Sequence, residues 1–337
     1  MNGFTEAAGT PRAAAAAAAA VDGAASDDPA GVTVRVPAKV NVQLAVGGRR
    51  ADGFHGLANV FLAVGLYDHV TAFPAEKLEL EVAGADADAV PADASNLAWK
   101  AAELLAARHG IEPRVRLRID KDIPVAGGMA GGSADAAGAL VACDELWGTG
   151  ASSADLMDIC AELGSDVPFS LLGGAALGRG RGDLLTPLET GGSFHWVFAV
   201  AEGGLSTPEV YAECDRLRDA AGTGSGEADV PEPEPTEALL DALATGDAVA
   251  LAGALSNDLQ DAALSLRPAL NDTLRAGLAA GALASLVSGS GPTCAFLAND
   301  PEAATEIAGA LLASGTCRAT RIATGPAEGA VRVDAGE

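Results

Sequence analysis

Lysine is scarce in this chain. The 337 residues include only Lys39, Lys77, Lys100 and Lys121, and basic residues number 21 in all against 46 acidic ones. The formal net charge of −25 excludes a broad nucleic-acid or anionic-membrane surface, because phosphate backbones and lipid headgroups are held by clustered Lys and Arg. A small anion escapes that exclusion, since a nest of backbone amides binds it without side-chain charge. Cysteine is sparse too. Cys143, Cys160, Cys214, Cys294 and Cys317 are scattered, odd in number and never in a CxxC pair, which speaks against a disulfide framework and a zinc site. His55, His69, His109 and His195 lie too far apart for a zincin-type pattern. No apolar run approaches the ~20 residues of a membrane span. Arg12, eight alanines and Val21 have the outline of a signal peptide, but Glu6 sits in the would-be basic region and alanine is a weak hydrophobe. The expectation is a cytoplasmic protein whose residues 1–31 form a disordered, alanine-rich tail.

What remains is rich in apolar residues, at 49%, and long enough for two domains or one large one. Val32–Val36 alternates in strand fashion, Pro37 interrupts it, and Val40–Val46 resumes. Further strands are expected at Leu78–Val82, Val115–Ile119, Phe194–Val200, Ala284–Val287 and Thr293–Leu297. Ser95 or Asn96 can cap a helix that Gly110 stops, and Ser152 or Ser153 can cap another that ends at Gly164. Helical patterns also cover Leu239–Leu255, Leu270–Ala280 and Pro301–Leu312. Residues 222–235 (GTGSGEADVPEPEP) read as a flexible acidic insertion. Strands and helices interleave without a regular βαβ period, so the predicted class is α+β.

The most unusual stretch is Pro124-Val-Ala-Gly-Gly-Met-Ala-Gly-Gly-Ser-Ala134, with four glycines in the six positions 127–132. Glycines at that density would weaken a helix or strand by up to ~1 kcal/mol each, so a loop is the better use for them. An alanine-rich helix follows directly. A glycine loop feeding a helix N-terminus offers free amides and the positive end of the helix dipole to an anion. It is neither a Walker motif nor a G-x-G-x-x-G fingerprint. A flexible loop or a close helix contact would use the same glycines.

Three weaker signals gain meaning together. Lys39 and Asn41, two apart, share one face of an otherwise apolar strand, which suits a cleft, although a solvated edge would also tolerate a lysine. Asp166 opens a new segment after Gly164, as a plain N-cap would. Ser288-Gly-Ser-Gly-Pro292 is a second glycine loop of a kind common in hairpins. A Lys and an Asp converging beside a γ-phosphate would make a base with a charge-stabilising partner.

The combination resembles the GHMP kinases. The glycine loop 124–134 is similar to that family's ATP motif, and 288–292 to its C-terminal glycine motif. PAKVN at 37–41, GRRADGFH at 48–55, DKDIPVAGGMAGGSADAA at 120–137, GSDVPF at 164–169 and SGSGPTCAF at 288–296 follow one another in family order. GRRADGFH narrows the resemblance to the members acting on a cytidine-diphosphate-linked methylerythritol in the non-mevalonate isoprenoid route. Other members act on homoserine or mevalonate, and a non-catalytic nucleotide-binding relative would keep the same fold.

The resemblance implies a two-lobed fold of mixed and antiparallel sheets with helices packed on them. Its N-terminal lobe would run over 32–190, its C-terminal lobe over 191–325, and 326–337 would be a tail. It implies ATP and Mg2+ as cofactors, a small-molecule acceptor, neither nucleic acid nor membrane as partner, and a monomer or weak homodimer. Lys39 and Asp166 match the catalytic pair, and no residue is carried over as a metal ligand. Pro124, Val125, Ala126, Gly127, Gly128, Met129, Ala130, Gly131, Gly132, Ser133 and Ala134 would cradle ATP, with Asn96 near the adenine and Lys121 near the same nucleotide. Asn41 would lie near the methylerythritol, with Phe54, His55, Thr207 and Tyr211 around the cytosine. Phe54 stands where tyrosine is usual, keeping the stacking face and losing a hydroxyl.

Overall fold

A computed structural model describes residues 30–125 and 127–333. The expected N-terminal tail, apart from its last two positions, and the loop residue Ala126 lie outside the described residues. In chain order the elements are β1 (Val32–Arg49), β2 (His55–Pro74), β3 (Glu79–Gly84), α1 (Leu97–His109), β4 (Val115–Lys121), α2 (Gly131–Trp147), α3 (Ser153–Leu163), α4 (Val167–Leu172), β5 (Ala175–Arg179) and β6 (Leu184–Leu188). Then come β7 (Phe194–Val200), α5 (Thr207–Ala220), α6 (Glu237–Thr245), α7 (Ala248–Ala254), β8 (Ser256–Asn257), α8 (Gln260–Leu266), α9 (Leu270–Ala279), β9 (Ala284–Val287), β10 (Cys294–Ala298), α10 (Pro301–Ser314), β11 (Ala319–Gly325) and β12 (Val331–Val333).

The first sheet is organised by one long antiparallel pair, β1 with β2. Each strand has different outer neighbours along its length. β1 pairs with β12 near its start and with β8 near its end, while β2 pairs with β5 early and β4 late. Pro37 does not end β1. The chain stays extended through it, and the missing N–H is absorbed by a register shift between Pro37 and Ala38. A second shift lies between Asn41 and Gln43, so Lys39 and Asn41 occupy a short stretch bracketed by two irregularities. Bulges of this kind re-aim side chains.

Helix α2 covers this sheet. Ala134, Ala136, Ala137 and Ala139 are fully buried, and a Cβ on Gly138 would meet Val70 at 2.7 Å and Val36 at 2.9 Å. Small residues therefore seat the helix close on the strands and fix the position of its N-terminus. The second sheet, ordered β11-β7-β10-β9, is antiparallel throughout. Its strand β7 is buried on both faces: Phe194, Trp196 and Phe198 join the main core, and Val197 and Ala199 join a second core under α8, α9 and α10.

Three sequence expectations need correction. The predicted 326–337 tail contains β12, because Thr33–Arg35 on β1 offers a free edge that Val331–Val333 pairs. The 222–235 insertion is pinned: Arg49 N–H donates to the Ser225 carbonyl at 2.7 Å, and Arg179 pairs with Glu234 at 2.7 Å. Leu239–Leu255 is two helices, since Gly246 takes a left-handed φ of 72° and Asp247 caps the second. The α+β class and the sheet-and-helix layering are as expected.

Candidate active site

A cleft of about 970 Å³ opens between the two glycine loops and the start of β2. Its floor is built from the bracketed stretch of β1. Lys39 Nζ donates to Asn41 Oδ1 at 2.7 Å, and Asn41 Nδ2 donates to Asn59 Oδ1 on β2 at 2.7 Å. Asn41 lies opposite Phe61, so Asn59 is its diagonal neighbour on the same face. All three polar residues are buried. Lys39 Nζ stands 3.8 Å from Asp166 Oδ2. Burial pulls the Lys39 ammonium below the ordinary lysine range, and the Asp166 carboxylate opposes that pull.

Asp166 precedes α4, yet its side chain makes no capping hydrogen bond. The plain N-cap use of this residue is therefore not realised, and the carboxylate, about one-third exposed, faces the cleft and Lys39.

The first glycine loop enters α2 through Ala130, which holds a left-handed φ of 61° and offers no capping side chain. The amides of the first turn, Gly131 to Ser133, are consequently unsatisfied by any cap and can serve an anion. Pro124, Gly127, Gly128, Ala130, Gly131 and Gly132 line the cleft. Met129 and Ala134 are fully buried and, like Val125 and Ser133, do not line it. The two glycine loops touch. Ser288 Oγ donates to the Gly128 carbonyl at 3.2 Å, and a Cβ on Gly128 would sit 2.1 Å from the Ser288 carbonyl. Gly289 reaches the floor of the cleft, since its Cβ would lie 3.3 Å from Lys39 Nζ.

At the other end, His55 Nε2 is 2.8 Å from Asp215 Oδ1, and its ring lies 5.1 Å from that of Tyr211. Burial, and secondarily the Asp166 carboxylate, push the Tyr211 hydroxyl up. Thr207 Oγ1 is 2.8 Å from Ser290 Oγ, tying this end to the second glycine loop. Phe54 is 52% exposed at the mouth, with the Arg181 guanidinium 5.4 Å from its ring centroid.

Asn96 and Lys121, the other two expected nucleotide contacts, have these surroundings. Asn96 is consumed by its own helix, accepting from Ala98 N–H at 2.8 Å and donating to the Pro91 carbonyl at 2.8 Å. Lys121 is buried below the phosphate loop, 2.5 Å from Asp68 and 2.8 Å from Asp135. Burial pulls its ammonium down, but Asp135 and Asp68 outweigh that and the net direction is up. Neither residue lines the cleft.

Asn59, Asp215 and Asp68 escaped the sequence reading. Asn59 had a signal, a lone polar residue in the apolar run from Leu57 to Leu66. Asp215 follows Tyr211 by four on α5 and so shares its face. Nothing local marked Asp68.

Comparison with known proteins agrees with this geometry. Residues 96–174 match the GHMP kinases N terminal domain, and residues 239–316 match GHMP kinases C terminal. A Streptomyces avermitilis protein named 4-diphosphocytidyl-2-C-methyl-D-erythritol kinase is 70% identical over 299 residues, 89% of this chain and 98% of that one. A Thermobifida fusca protein of the same name is 57% identical over 313 residues, 90% of this chain and 99% of its own. Among solved structures, a 4-(cytidine 5'-diphospho)-2C-methyl-D-erythritol kinase superposes with a TM-score of 0.70 at 33% identity, covering 86% of this chain and 98% of that one. A homoserine kinase from Cytophaga hutchinsonii, at 20% identity and a TM-score of 0.66 over 90% of this chain and 97% of its own, shares the fold.

Proposed function

The chain belongs to the GHMP kinases, and from that premise we propose that it transfers the γ-phosphoryl of ATP to the 2-hydroxyl of 4-diphosphocytidyl-2-C-methyl-D-erythritol. It is a small-molecule kinase of the non-mevalonate isoprenoid route. The observation that carries the catalytic reading is the meeting of Lys39 and Asp166, 3.8 Å apart, beside the contact of two glycine loops.

In the reaction the acceptor oxygen forms a bond to the γ-phosphorus while the bridging β–γ oxygen bond breaks, and ADP leaves. The acceptor's proton passes to Asp166. Lys39, held by Asn41, orients the hydroxyl and stabilises the negative charge that develops. Amides of the 127–133 loop hold the phosphates, where charge spreads over non-bridging oxygens. His55, Tyr211 and Phe54 receive the cytosine, with Asp215 fixing the imidazole.

Magnesium neutralises nucleotide charge in this chemistry. Among the described residues no group of three Asp, Glu, His or Cys side chains could hold a metal. Such an ion would arrive bound to the ATP phosphates.

The deciding experiment is ADP release measured with the cytidine-linked alcohol against homoserine and mevalonate. Turnover confined to the cytidine-linked acceptor is expected. Turnover with homoserine or mevalonate instead would overturn the assignment.

A further inference from the structure

The cytosine end of the cleft and the catalytic end are joined in the proposed acceptor by a diphosphate, and the turn between β5 and β6 lies along that path. Its backbone is anchored on β2, since Leu57 N–H donates to the Gly180 carbonyl at 3.0 Å. Gly182 approaches the catalytic floor, because a Cβ there would lie 4.0 Å from Asn59 Nδ2. Between these two glycines stands Arg181, whose guanidinium is 5.4 Å from the Phe54 ring centroid. One short turn thus spans from the exposed aromatic at the mouth to the amide that supports Asn41 and Lys39.

Arg181 is also oriented in advance. Its own N–H donates to Asp183 Oδ1 at 3.0 Å, and its guanidinium stands 3.6 Å from Asp183 Oδ2. That distance is beyond a hydrogen bond, so the fork remains available to an incoming anion. The Phe54 ring holds the guanidinium plane from another side. A pre-oriented guanidinium matches the oxygens of a phosphate better than an ammonium does. In a chain with 21 basic residues and a net charge of −25, a cation lining the cleft at this point has a specific use.

We propose that Arg181 binds the diphosphate of the acceptor and, with Phe54, sets the preference for a nucleoside-diphosphate-linked alcohol. This rests on the acceptor assignment above. Arg181 would neutralise charge on the linker that the amide-lined phosphate loop, occupied by ATP, does not reach.

The test compares CDP and cytidine as ligands of the full chain by calorimetry, in the unmodified protein and in Arg181→Gln and Arg181→Lys. The unmodified protein should prefer CDP. Arg181→Gln should weaken CDP roughly ten- to a hundredfold, as loss of a charged hydrogen bond does, and leave cytidine nearly unchanged. Arg181→Lys should recover part of the loss, and the salt dependence of CDP binding should flatten in Arg181→Gln. KM for the cytidine-linked acceptor should rise in Arg181→Gln while KM for ATP does not. Equal weakening of CDP and cytidine would mean that Arg181 only holds Phe54 in place, and would overturn the proposal. Unaltered CDP binding would overturn it as well. If the unmodified protein bound neither ligand, the acceptor assignment itself would fail, a result distinct from either.

Discussion

Lys39 Nζ stands 3.8 Å from Asp166 Oδ2 while donating to Asn41 at 2.7 Å. The ammonium is thus anchored by a neutral amide, and its gap to the carboxylate is too wide for a direct hydrogen bond. A hydroxyl entering that gap meets an acceptor on one side and a cation on the other. Asp166→Asn should lower turnover about a hundred- to ten-thousandfold, the usual worth of a general base, with ATP affinity retained. Rapid-quench kinetics and nucleotide titration check both halves. Turnover within tenfold of the unmodified protein would remove Asp166 from the role of base.

Phe54 is exposed at the mouth of the cleft. Phe54→Ala should raise KM for the cytidine-linked acceptor about tenfold, the scale of one base–aromatic stack, and spare KM for ATP. Phe54→Tyr should retain the affinity of the unmodified chain. An equal rise in both constants for Phe54→Ala would place Phe54 outside the cytosine site.

Gly128 carries a φ of 75°, and a Cβ there would lie 2.1 Å from the Ser288 carbonyl. Both the conformation and the contact reject a side chain, so Gly128→Ala should force the loops apart. The backbone strain alone costs roughly 1–3 kcal/mol. A lower melting temperature together with lost ATP binding is expected. Gly132→Ala meets nothing within 4 Å and is the control for stability.

Burial first, and then the neighbouring Asp68 carboxylate, raise the Asp135 carboxyl to about 7 against the pull of Lys121. A carboxyl raised in the folded state binds its proton more tightly there than in the unfolded chain. Its contribution to stability is therefore fully present below the unfolded value of 3.8 and is lost as pH rises through about 7. Asp135→Asn removes that loss and keeps Lys121 paired with Asp68. Melting curves of the variant should fall less steeply than those of the unmodified protein between pH 5 and 8; parallel curves would contradict the raised carboxyl. Lys121→Met should be far more damaging, by about 3–5 kcal/mol, because it leaves the fully buried Asp68 carboxylate without its cation.

Chelation separates the metal carried by ATP from a structural one. EDTA should stop turnover and leave the thermal melt of the ligand-free protein unchanged. A lowered melting temperature would reveal a resident ion.

Much of the local architecture was legible because its causes are local. Asn96 caps α1 and Gly110 ends it with a left-handed φ of 65°, as the sequence predicts. Ser152 forms a full capping box with Asp155. Phe194–Val200 is a strand to the residue. The misread segments were those decided by a distant partner. Residues 331–333 become a strand only because β1 has an open edge, and the acidic connector is held by Arg49, Gln43 and Arg179, all distant in sequence.

The catalytic site divides in the same way. The residues themselves determined that four clustered glycines needed a loop, that a helix with free amides followed, and that a lysine and an asparagine shared one face of an apolar strand. These follow from φ preferences, helix termini and the two-residue period of a strand, all readable within a few positions. Tertiary structure alone decided that Gly128 would meet Ser288 across 160 residues and that Asp166 would face Lys39 instead of capping its helix. It also decided how the scarce lysines are used. Lys39 sits among apolar neighbours and Lys121 between Asp120 and Asp122, but it is the fold that turns the first to the cleft and holds the second between the distant Asp68 and Asp135. An ammonium's role depends on which carboxylates the fold brings within a few ångströms, and Coulomb interactions at that range are set by packing, not by order along the chain.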